Sequence, residues 1–595
     1  MTADTLLPYQ DPSRSVDERI EDLVARLTLE EKAGLMFHMM IIPSPDLDAV
    51  SPTWGFPSTA SLLDLGLSHF NIMGGFDTAE ELAEYANKIQ AAARNTRLGI
   101  PVTLSTDPRH AFTDNPQLSL KSGPFSQWPE SIGLAAIGDP KRMEEYADIV
   151  RQEYLAVGIR MALHPQADLA TEPRWSRIAG SLGEDNRLAG ELVTAHIRGL
   201  QGPAFGPTSV AACVKHFPGG GPLRNGYDSH FRWGTDQIYP GDQWEYHLRP
   251  FRAAVAEGTR YMMPAYGKPV GTRFPEVGMA FNKPVLTGCL REELGYDGVV
   301  VSDWGILVDY ATEEKLGDLS PARAWGVEHL SPQERVVAAL DAGVDQFGGH
   351  GEPQLILDVV RSGRVPESRI DESVRRILRD KFELGLFESP LVNVDEAGDI
   401  VGRKDFVAAG LAAQKDAVTL LKNAERDGKP LLPLAPSAKV HLVGFKQGAT
   451  DLGVNGAASV DEADVAVVRL QTPWEAKGKG AFCTMFHHGK LDFDQATLDM
   501  VSELARKVPV VLDIFADRPP VLGSLDDDAS AIMLSFGLSE PALIDVLYGY
   551  SPKGKLPFDL PRSMQAVEAS RTDTAFDTKE PTYRFGHGLR YSDSL

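Results

Sequence analysis

The chain is poor in cysteine, with Cys213, Cys289 and Cys483 as its only three among 595 residues. Their spacing does not match a zinc site, and each lies among largely apolar residues. Scattered cysteines of this kind are typical of buried free thiols in a reducing compartment. We therefore expect a cytoplasmic protein with no metal ion and no other cofactor.

Basic residues are also scarce, because 59 Lys and Arg stand against 83 Asp and Glu, for a net charge of -24. Phosphate contacts need clustered Lys and Arg, so this balance argues against a nucleic-acid partner. No apolar run reaches the roughly 18 residues that span a membrane. The N-terminus also lacks a basic start followed by an apolar core, so we expect neither a signal peptide nor a membrane partner.

What the sequence does contain is a long alternation of strand-like and helix-like segments. The length predicts two or three domains. Short apolar runs alternate with amphipathic stretches over roughly 300 residues, from 69 to 347, which predicts a parallel sheet with helical crossovers. We predict an α/β protein whose residues 1–390 form a (β/α)8-type barrel; an open doubly wound sheet is the alternative, but no Gly-rich nucleotide loop supports it. The predicted strands are 69–73, 101–104, 158–163, 209–214, 261–263, 299–301 and 343–347.

A second, smaller α/β domain is predicted over residues 403–595. Residues 391–402 are rich in Asp, Gly and Val without a helical period, which indicates a linker. Beyond it we predict a helix over 405–422. Further strands are predicted over 439–445, 464–470, 508–515 and 530–536, and helices over 494–507 and 540–547.

Asp303 lies at the most informative position of the chain, directly after the β-branched run Val299, Val300 and Val301. An unbroken apolar run of this length is typical of a strand buried on both faces. Catalytic residues of β/α barrels lie at the C-terminal ends of such strands. The ordinary alternative is that Asp303 caps the next helix and that Trp304 belongs to the core.

Other polar side chains follow strand-like runs in the same way, namely Asp107, Lys215, His216 and Tyr266. Burying one such group without a partner costs a few kcal/mol. Several of them at one barrel rim are better explained by a shared ligand that carries many hydroxyl groups.

Seven motifs run in order through most of the chain: GIPVTLSTDPRH at 99–110, TEPRWSRIAGSLGEDNRLAGE at 171–191, KHFPGGG at 215–221, LTGCLREELGYDGVVVSDWG at 286–305, LLKN at 420–423, GKLPFDLPRS at 554–563 and YRFGHGLRY at 583–591. In these motifs the chain resembles glycoside hydrolase family 3, the family of β-glucosidases and related exo-glycosidases. The resemblance implies a β/α barrel followed by an α/β sandwich, with the active site between them.

The same resemblance assigns roles to several side chains. Asp303 would be the nucleophile of a retaining mechanism that passes through a covalent glycosyl-enzyme. Tyr266 would orient Asp303, and Trp304 would stack on the sugar. Sugar hydroxyl groups would be bound by Asp107, Arg177, Lys215 and His216. For Arg177, an ion pair with Glu184 or Asp185 is the structural alternative.

Two residues compete for the role of proton donor. Glu475 follows a predicted strand of the second domain, in QTPWEAKGKG, and resembles the acid/base of the glucosidase branch. His230, with Asp228, resembles the histidine dyad of the N-acetylglucosaminidase branch and could donate a proton near neutral pH. We favour Glu475, because PGGG replaces that branch's PGHG and because the sequence around Asp303 is SDW. His487 and His488 lack further ligands at metal spacing, and Gly219–Gly221 are expected to form a turn, not a phosphate loop.

These assignments predict an exo-acting, retaining β-glucosidase that acts on a small glycoside or oligosaccharide. A β-xylosidase and an N-acetyl-β-glucosaminidase, hydrolytic or phosphorolytic, remain open as alternatives. A non-catalytic carbohydrate-binding protein on the same fold is the alternative from a different class. A homodimer is also possible on general grounds.

Overall fold

The first domain is a barrel of parallel strands. The computed structural model describes residues 6–50, 56–112, 120–310, 317–319, 321–426 and 428–594. Within these ranges, neighbouring strands pair in chain order, and Val301 bridges Gln346, which closes the barrel between the last two strands. The strands are Phe37–Ile41, His69–Ile72, Thr103–Thr106, Ile159–Ala162, Ala211–Phe217, Tyr261–Pro264, Val299–Val300 and Phe347–Gly348.

The first of these strands, Phe37–Ile41, was not predicted, since the sequence placed the first strand at residue 69. Its FHMMI sequence follows the helix Leu29–Leu35 after a single residue, Met36, and continues that helix's apolar pattern. All five residues are buried, so the strand faces the core on both sides and its sequence shows no alternation of apolar and polar residues. The other seven strands lie at or next to their predicted positions.

Helices surround the barrel and connect its strands. Several begin at a capping box; for example, Thr78 accepts from the backbone N–H of Glu81 while the Glu81 side chain accepts from the Thr78 backbone. The helices of this part of the chain are Val16–Arg26, Leu29–Leu35, Thr59–Asp64, Ala79–Arg94, Ser131–Ile137, Pro140–Ala156, Asn186–Gln201, Trp244–Ala256, the π-helix Pro284–Glu293, Pro332–Ala342, Gln354–Arg361 and Glu367–Glu383.

The second domain contains a five-stranded sheet with its own core. Four strands are parallel, and the edge strand Thr419–Asn423 runs antiparallel to Ala531–Ser535. The sheet order is Thr419–Asn423, Ala531–Ser535, Val510–Phe515, Val465–Gln471 and Val440–Val443. Its helices are Lys404–Ala417, Gln495–Ala505, Leu525–Asp528, Glu540–Leu547 and Met564–Ala569.

The structure differs from the predictions in two details at the domain junction. The helix predicted over 405–422 is present but ends at Ala417, and the β-branched and apolar residues after it form the strand Thr419–Asn423. The apolar period of the helix continues into this strand, so the sequence showed no boundary between them. The segment 391–402, predicted as a linker without helical period, contains the helix Val394–Ile400, which Asn393 caps and which packs on two barrel helices.

Glu184 joins the two domains. Its carboxylate accepts from the backbone N–H groups of Asp559, at 2.5 Å, and Phe576, at 3.0 Å. Burial raises the pKa of Glu184 to about 8. Its backbone N–H also donates to Pro557 O, so the barrel and the second domain share hydrogen bonds in their interface.

Two further predictions concern cysteines and membranes. Cys213, Cys289 and Cys483 are buried free thiols, as predicted. In the part of the chain that the structure covers, no helix combines the length and apolar character needed to cross a membrane.

Candidate active site

The predicted polar residues meet at the C-terminal ends of the parallel barrel strands. Asp107 directly follows Thr103–Thr106, and Lys215 and His216 lie at the C-terminal end of the strand Ala211–Phe217. Asp303 follows Val299–Val300. Since parallel strands end at the same rim, segments far apart in sequence bring these side chains together.

Asp107 and Lys215 form an ion pair at this rim. Lys215 Nζ lies 2.7 Å from Asp107 Oδ1, and the Asn71 amide donates to Asp107 Oδ2 at 3.0 Å. Burial acts to raise the pKa of Asp107, but Lys215 and Asn71 outweigh it and hold the pKa below its usual value. Asp107 is therefore a charged acceptor, suited to sugar hydroxyl groups.

His216 lies between Arg177 and Asp168. Its Nδ1 is 2.7 Å from Asp168 Oδ2, and its Nε2 is 3.1 Å from Arg177 Nη1. Burial, and then the charge of Arg177, lower the pKa of His216. The ion pair considered for Arg177 is not formed, because Glu184 binds the second domain and Asp185 caps the helix Asn186–Gln201.

The two carboxylate oxygens of Asp303 differ in their hydrogen bonding. Oδ1 accepts from the backbone N–H of Trp304 at 2.7 Å. Oδ2 is buried and has no hydrogen-bond partner among the residues that the structure describes; His216 Nε2 is 3.8 Å away. Because Asp303 is only 7% exposed, Oδ2 is a buried acceptor that no described protein donor satisfies.

Tyr266 and Trp304 form one wall next to Asp303. The Tyr266 hydroxyl donates to Trp304 O at 2.6 Å, and burial together with the charge of Asp303 raises the pKa of Tyr266. The Trp304 ring is 5.2 Å from the His38 ring and packs on Gly348, where an added Cβ would lie 2.3 Å from the indole. Only glycine leaves room for the indole there.

Glu475 lies on a loop of the second domain. Its backbone N–H donates to His488 O at 2.8 Å, whereas its carboxylate is 57% exposed and 4.0 Å from Lys490 Nζ. The neighbouring Trp474 stacks on His487, with 4.3 Å between ring centroids. Glu475 is thus held through its backbone while its carboxylate reaches solvent.

This loop packs on the barrel through His488. His488 Nε2 accepts from the backbone N–H of Asp228 at 3.2 Å, and Asp228 Oδ1 is 2.6 Å from His230 Nδ1. The His230 ring lies 4.8 Å from the Tyr266 ring. A contiguous set of contacts therefore connects the Glu475 loop to the wall beside Asp303, and the predicted Asp228–His230 pair is also formed.

Sequence reasoning missed Asn71 and Asp168. Asn71 belongs to the strand His69–Ile72, and Asp168 follows the fourth strand after a short loop. The position of Asn71 in the strand-like run 69–73 was the available signal. Asp168 stands in the apolar stretch QADLA and gave none.

A turn over residues 216–219 leads into the three glycines of KHFPGGG, so the predicted turn is present and ends at the first of them. Gly219 has φ +125°, and its N–H donates to His216 O at 2.8 Å. An added Cβ at Gly221 would lie 2.1 Å from Leu169 O. These glycines bring the backbone close to the loop that carries Asp168.

Two family models match the chain in the order of its domains. The Glycosyl hydrolase family 3 N terminal domain matches residues 62–379, and the Glycosyl hydrolase family 3 C-terminal domain matches residues 453–591. The chain belongs to glycosyl hydrolase family 3. It is therefore a glycoside hydrolase, as the motifs predicted.

Relatives of similar length support this placement. "Probable beta-glucosidase C" of Aspergillus flavus is 47% identical over 588 residues, covering 98% of this chain and 92% of the relative. "Periplasmic beta-glucosidase/beta-xylosidase" of Dickeya chrysanthemi is 39% identical over 607 residues, covering 98% and 91%.

Solved structures share the fold of this family 3 chain. A β-glucosidase from Erythrobacter marinus superposes with a TM-score of 0.79 at 22% identity, covering 99% of this chain and 84% of that one. A β-glucosidase from Listeria innocua in complex with glucose superposes with a TM-score of 0.74 at 23% identity, covering 97% and 83%. These likenesses bear out a barrel followed by an α/β domain.

Proposed function

We propose that the protein is a retaining, exo-acting β-glucosidase that removes a terminal β-D-glucosyl residue from a small glycoside or oligosaccharide. One observation carries the assignment of the site: Asp303 Oδ2 is buried without a hydrogen-bond partner in the described residues and lies 3.8 Å from His216 Nε2, which in turn contacts Arg177. A carboxylate oxygen without a protein donor, at a strand-end rim that also carries charged hydrogen-bonding groups, suits attack on the anomeric carbon of a polyhydroxylated ring.

Asp303 is assigned as the nucleophile. Its Oδ2 attacks C1 of the sugar as the bond from C1 to the leaving oxygen breaks, which gives a glycosyl ester. Glu475 donates its proton to the leaving oxygen in this step. It then takes a proton from the water that attacks C1, so the ester bond breaks and the β-anomer is released.

The sugar ring is held by charged hydrogen bonds. Asp107 accepts from hydroxyl groups, while Lys215 and Arg177 donate to them. Arg177 Nε is buried and has no partner in the described residues, so it can donate to a bound sugar. Tyr266 fixes the backbone next to Asp303, and Trp304 offers an indole face beside the site.

The names of the relatives support glucose as the terminal sugar, since those at 46–47% identity are called β-glucosidases. The Dickeya relative carries both β-glucosidase and β-xylosidase in its name, which keeps xylose as a second candidate. The two sugars differ by the C6 hydroxymethyl group. Selectivity between them therefore rests on the pocket around C6.

A second candidate for the acid/base is His230. The observation that favours it is the 2.6 Å contact of its Nδ1 with the buried Asp228. Burial acts to raise the pKa of Asp228, but His230 outweighs it, so the pKa of Asp228 is lowered and its carboxylate is charged. An N-acetyl-β-glucosaminidase or a phosphorolytic enzyme would use this pair.

A panel of 4-nitrophenyl β-glycosides tests the proposed function. The glucoside is expected to have the highest kcat/KM among the glucoside, xyloside, galactoside and N-acetylglucosaminide, and NMR is expected to detect the β-anomer first. Asp303→Asn serves as the control and should abolish turnover while the fold is kept. Preferred cleavage of the N-acetylglucosaminide, or release of the α-anomer, would contradict the proposal.

The cytoplasmic location and the homodimer stay predictions. The three buried free thiols support a reducing compartment, whereas the Dickeya relative is named periplasmic. Fractionation and light scattering of the native protein would test the two points separately.

A further inference from the structure

Asp168 is a fully buried carboxylate, and its two oxygens accept from different groups. Oδ1 accepts from the backbone N–H groups of His216, at 3.2 Å, and Gly220, at 2.5 Å. Oδ2 lies 2.7 Å from His216 Nδ1. Burial acts to raise the pKa of Asp168, but His216 and the Gly220 N–H outweigh it, so the carboxylate is charged and can only accept. The hydrogen between these two groups therefore sits on Nδ1.

Arg177 sets the same tautomer from the other side of the ring. A guanidinium has only donors and no acceptor, and Arg177 Nη1 lies 3.1 Å from His216 Nε2. Nε2 must then present its lone pair to Arg177. Both neighbours thus require a neutral His216 with its hydrogen on Nδ1.

The tautomer matters because His216 Nε2 is also 3.8 Å from Asp303 Oδ2. A hydrogen on Nε2 would bring a donor toward Asp303 and would repel Arg177. A hydrogen bond to a carboxylate stabilises its charged form and makes the oxygen a poorer nucleophile. With the lone pair on Nε2, Oδ2 keeps no protein donor within the described residues.

We propose that Asp168 is a positioning residue that holds His216 in the Nδ1–H tautomer and thereby keeps Asp303 Oδ2 free to attack. The catalytic part rests on the proposed function of Asp303. The tautomer itself does not, because the distances to Asp168 and Arg177 determine it.

Asp168→Asn separates this role from a structural one. The Asn oxygen can still accept from the His216 and Gly220 N–H groups, so the loop stays anchored. The Asn NH2 group replaces Oδ2, donates to Nδ1 and moves the hydrogen to Nε2. We expect kcat to fall by about 10²- to 10⁴-fold, the range for a histidine held in the wrong tautomer.

A matched control is Asp513→Asn, because Asp513 is also buried and accepts from Arg469 at 2.9 Å in the second domain. It is expected to keep kcat within about threefold of wild type, even if it lowers the melting temperature. When His216 is already replaced by Ala, adding Asp168→Asn should lower kcat by less than about threefold. A further fall in kcat of about 10²-fold or more in this double variant would overturn the proposal.

NMR of protein labelled with 15N-histidine reads the tautomer without activity. The His216 signal, identified by its loss in His216→Ala, should show hydrogen on Nδ1 in wild type and on Nε2 in Asp168→Asn. Hydrogen on Nε2 in wild type would overturn the inference, even if the variant does not fold. A protein that cleaves no β-glucoside yet shows Nδ1–H would refute the proposed function and leave the tautomer assignment standing.

Discussion

At the scale of single residues, two buried carboxylates of the site have charged or polar partners, whereas two other buried atoms have none. Asp107 has Lys215, and Asp168 has His216, whereas Asp303 Oδ2 and Arg177 Nε have no partner in the chain as described. A buried polar atom without a partner costs stability, so open atoms at one rim indicate ligand contacts.

The two candidates for the acid/base, Glu475 and His230, predict opposite kinetic effects when each is replaced by alanine. We expect Glu475→Ala to lower kcat/KM by about 10²- to 10⁴-fold for glucosides with poor leaving groups, and far less for 2,4-dinitrophenyl glucoside, whose leaving group needs no proton. Azide should restore turnover of the activated substrate and give β-glucosyl azide. Steady-state kinetics with product NMR measures both effects.

The matched variant is His230→Ala, which should keep the leaving-group dependence of wild type and gain nothing from azide. The reverse pattern, with azide rescuing His230→Ala and not Glu475→Ala, would assign the acid/base to the Asp228–His230 pair.

Strand ends could be predicted from the sequence because an apolar run and the polar residue after it are local signals. Asp107, Lys215, His216, Tyr266 and Asp303 were found in this way. Asp168 could not be found, because its role depends on Nδ1 of a histidine 48 residues away in the chain. No local pattern encodes that contact.

At the scale of elements, the two ends of the barrel have different tasks. Lys381, on the helix Glu367–Glu383, is fully buried, and its Nζ donates to Ser68 O, Pro101 O and Thr103 Oγ1, each at 2.9 Å. These acceptors lie at the N-terminal ends of the second and third strands. In a β/α barrel, residues at the N-terminal ends of the strands are expected to stabilise the fold and to take no part in catalysis.

Lys381→Met is therefore expected to lower the free energy of unfolding by about 2–5 kcal/mol, because three acceptors lose their donor. The kcat/KM of the folded variant should stay within about twofold of wild type. Urea unfolding and steady-state kinetics measure the two quantities. Lys283→Met, at a lysine that is 55% exposed, is the control and should change neither. A large loss of kcat/KM in folded Lys381→Met would contradict this separation.

Elements were predicted best where their pattern was bounded by polar or turn residues. The helix Glu540–Leu547 agrees with its prediction at both ends. The strands Phe37–Ile41 and Thr419–Asn423 were missed, since each follows a helix with only one residue between them. An apolar run that changes from helical to extended geometry gives no periodic signal of its own.

At the scale of the whole molecule, Glu184 couples domain packing to pH. Its pKa of about 8 in the folded protein lies above the ordinary 4.5, so the folded state binds the proton more tightly than the unfolded state. Stability from this group is complete below about pH 4.5 and is lost as pH rises toward 8. The expected loss across this range is about 4–5 kcal/mol.

Glu184→Gln replaces the titrating carboxyl group with an amide that does not titrate. The variant loses one oxygen that accepts from a backbone N–H, so its free energy of unfolding should be lower than that of wild type at pH 5. At pH 8 this difference in the free energy of unfolding should become smaller or change sign. Urea unfolding of both proteins at the two pH values measures this. Equal pH dependence in the two proteins would show that Glu184 is not the coupling group.

The two-domain organisation was predicted because a segment without helical period, 391–402, is followed by a new series of strand-like and helix-like runs. The packing of the Glu475 loop on the barrel was not, since it depends on His488 accepting from Asp228 across 260 residues of sequence. Long-range contacts of this kind bring the proposed acid/base loop to the wall beside Asp303.

The central claim is that Asp303 forms the covalent bond to the sugar, and trapping that bond tests it most directly. The protein would be incubated with 2,4-dinitrophenyl 2-deoxy-2-fluoro-β-glucoside, digested and sequenced by mass spectrometry. A fluoroglucosyl adduct on Asp303, absent from Asp303→Asn, is the expected result. An adduct on another carboxylate, or unlabelled protein that releases the α-anomer from ordinary substrate, would contradict the account.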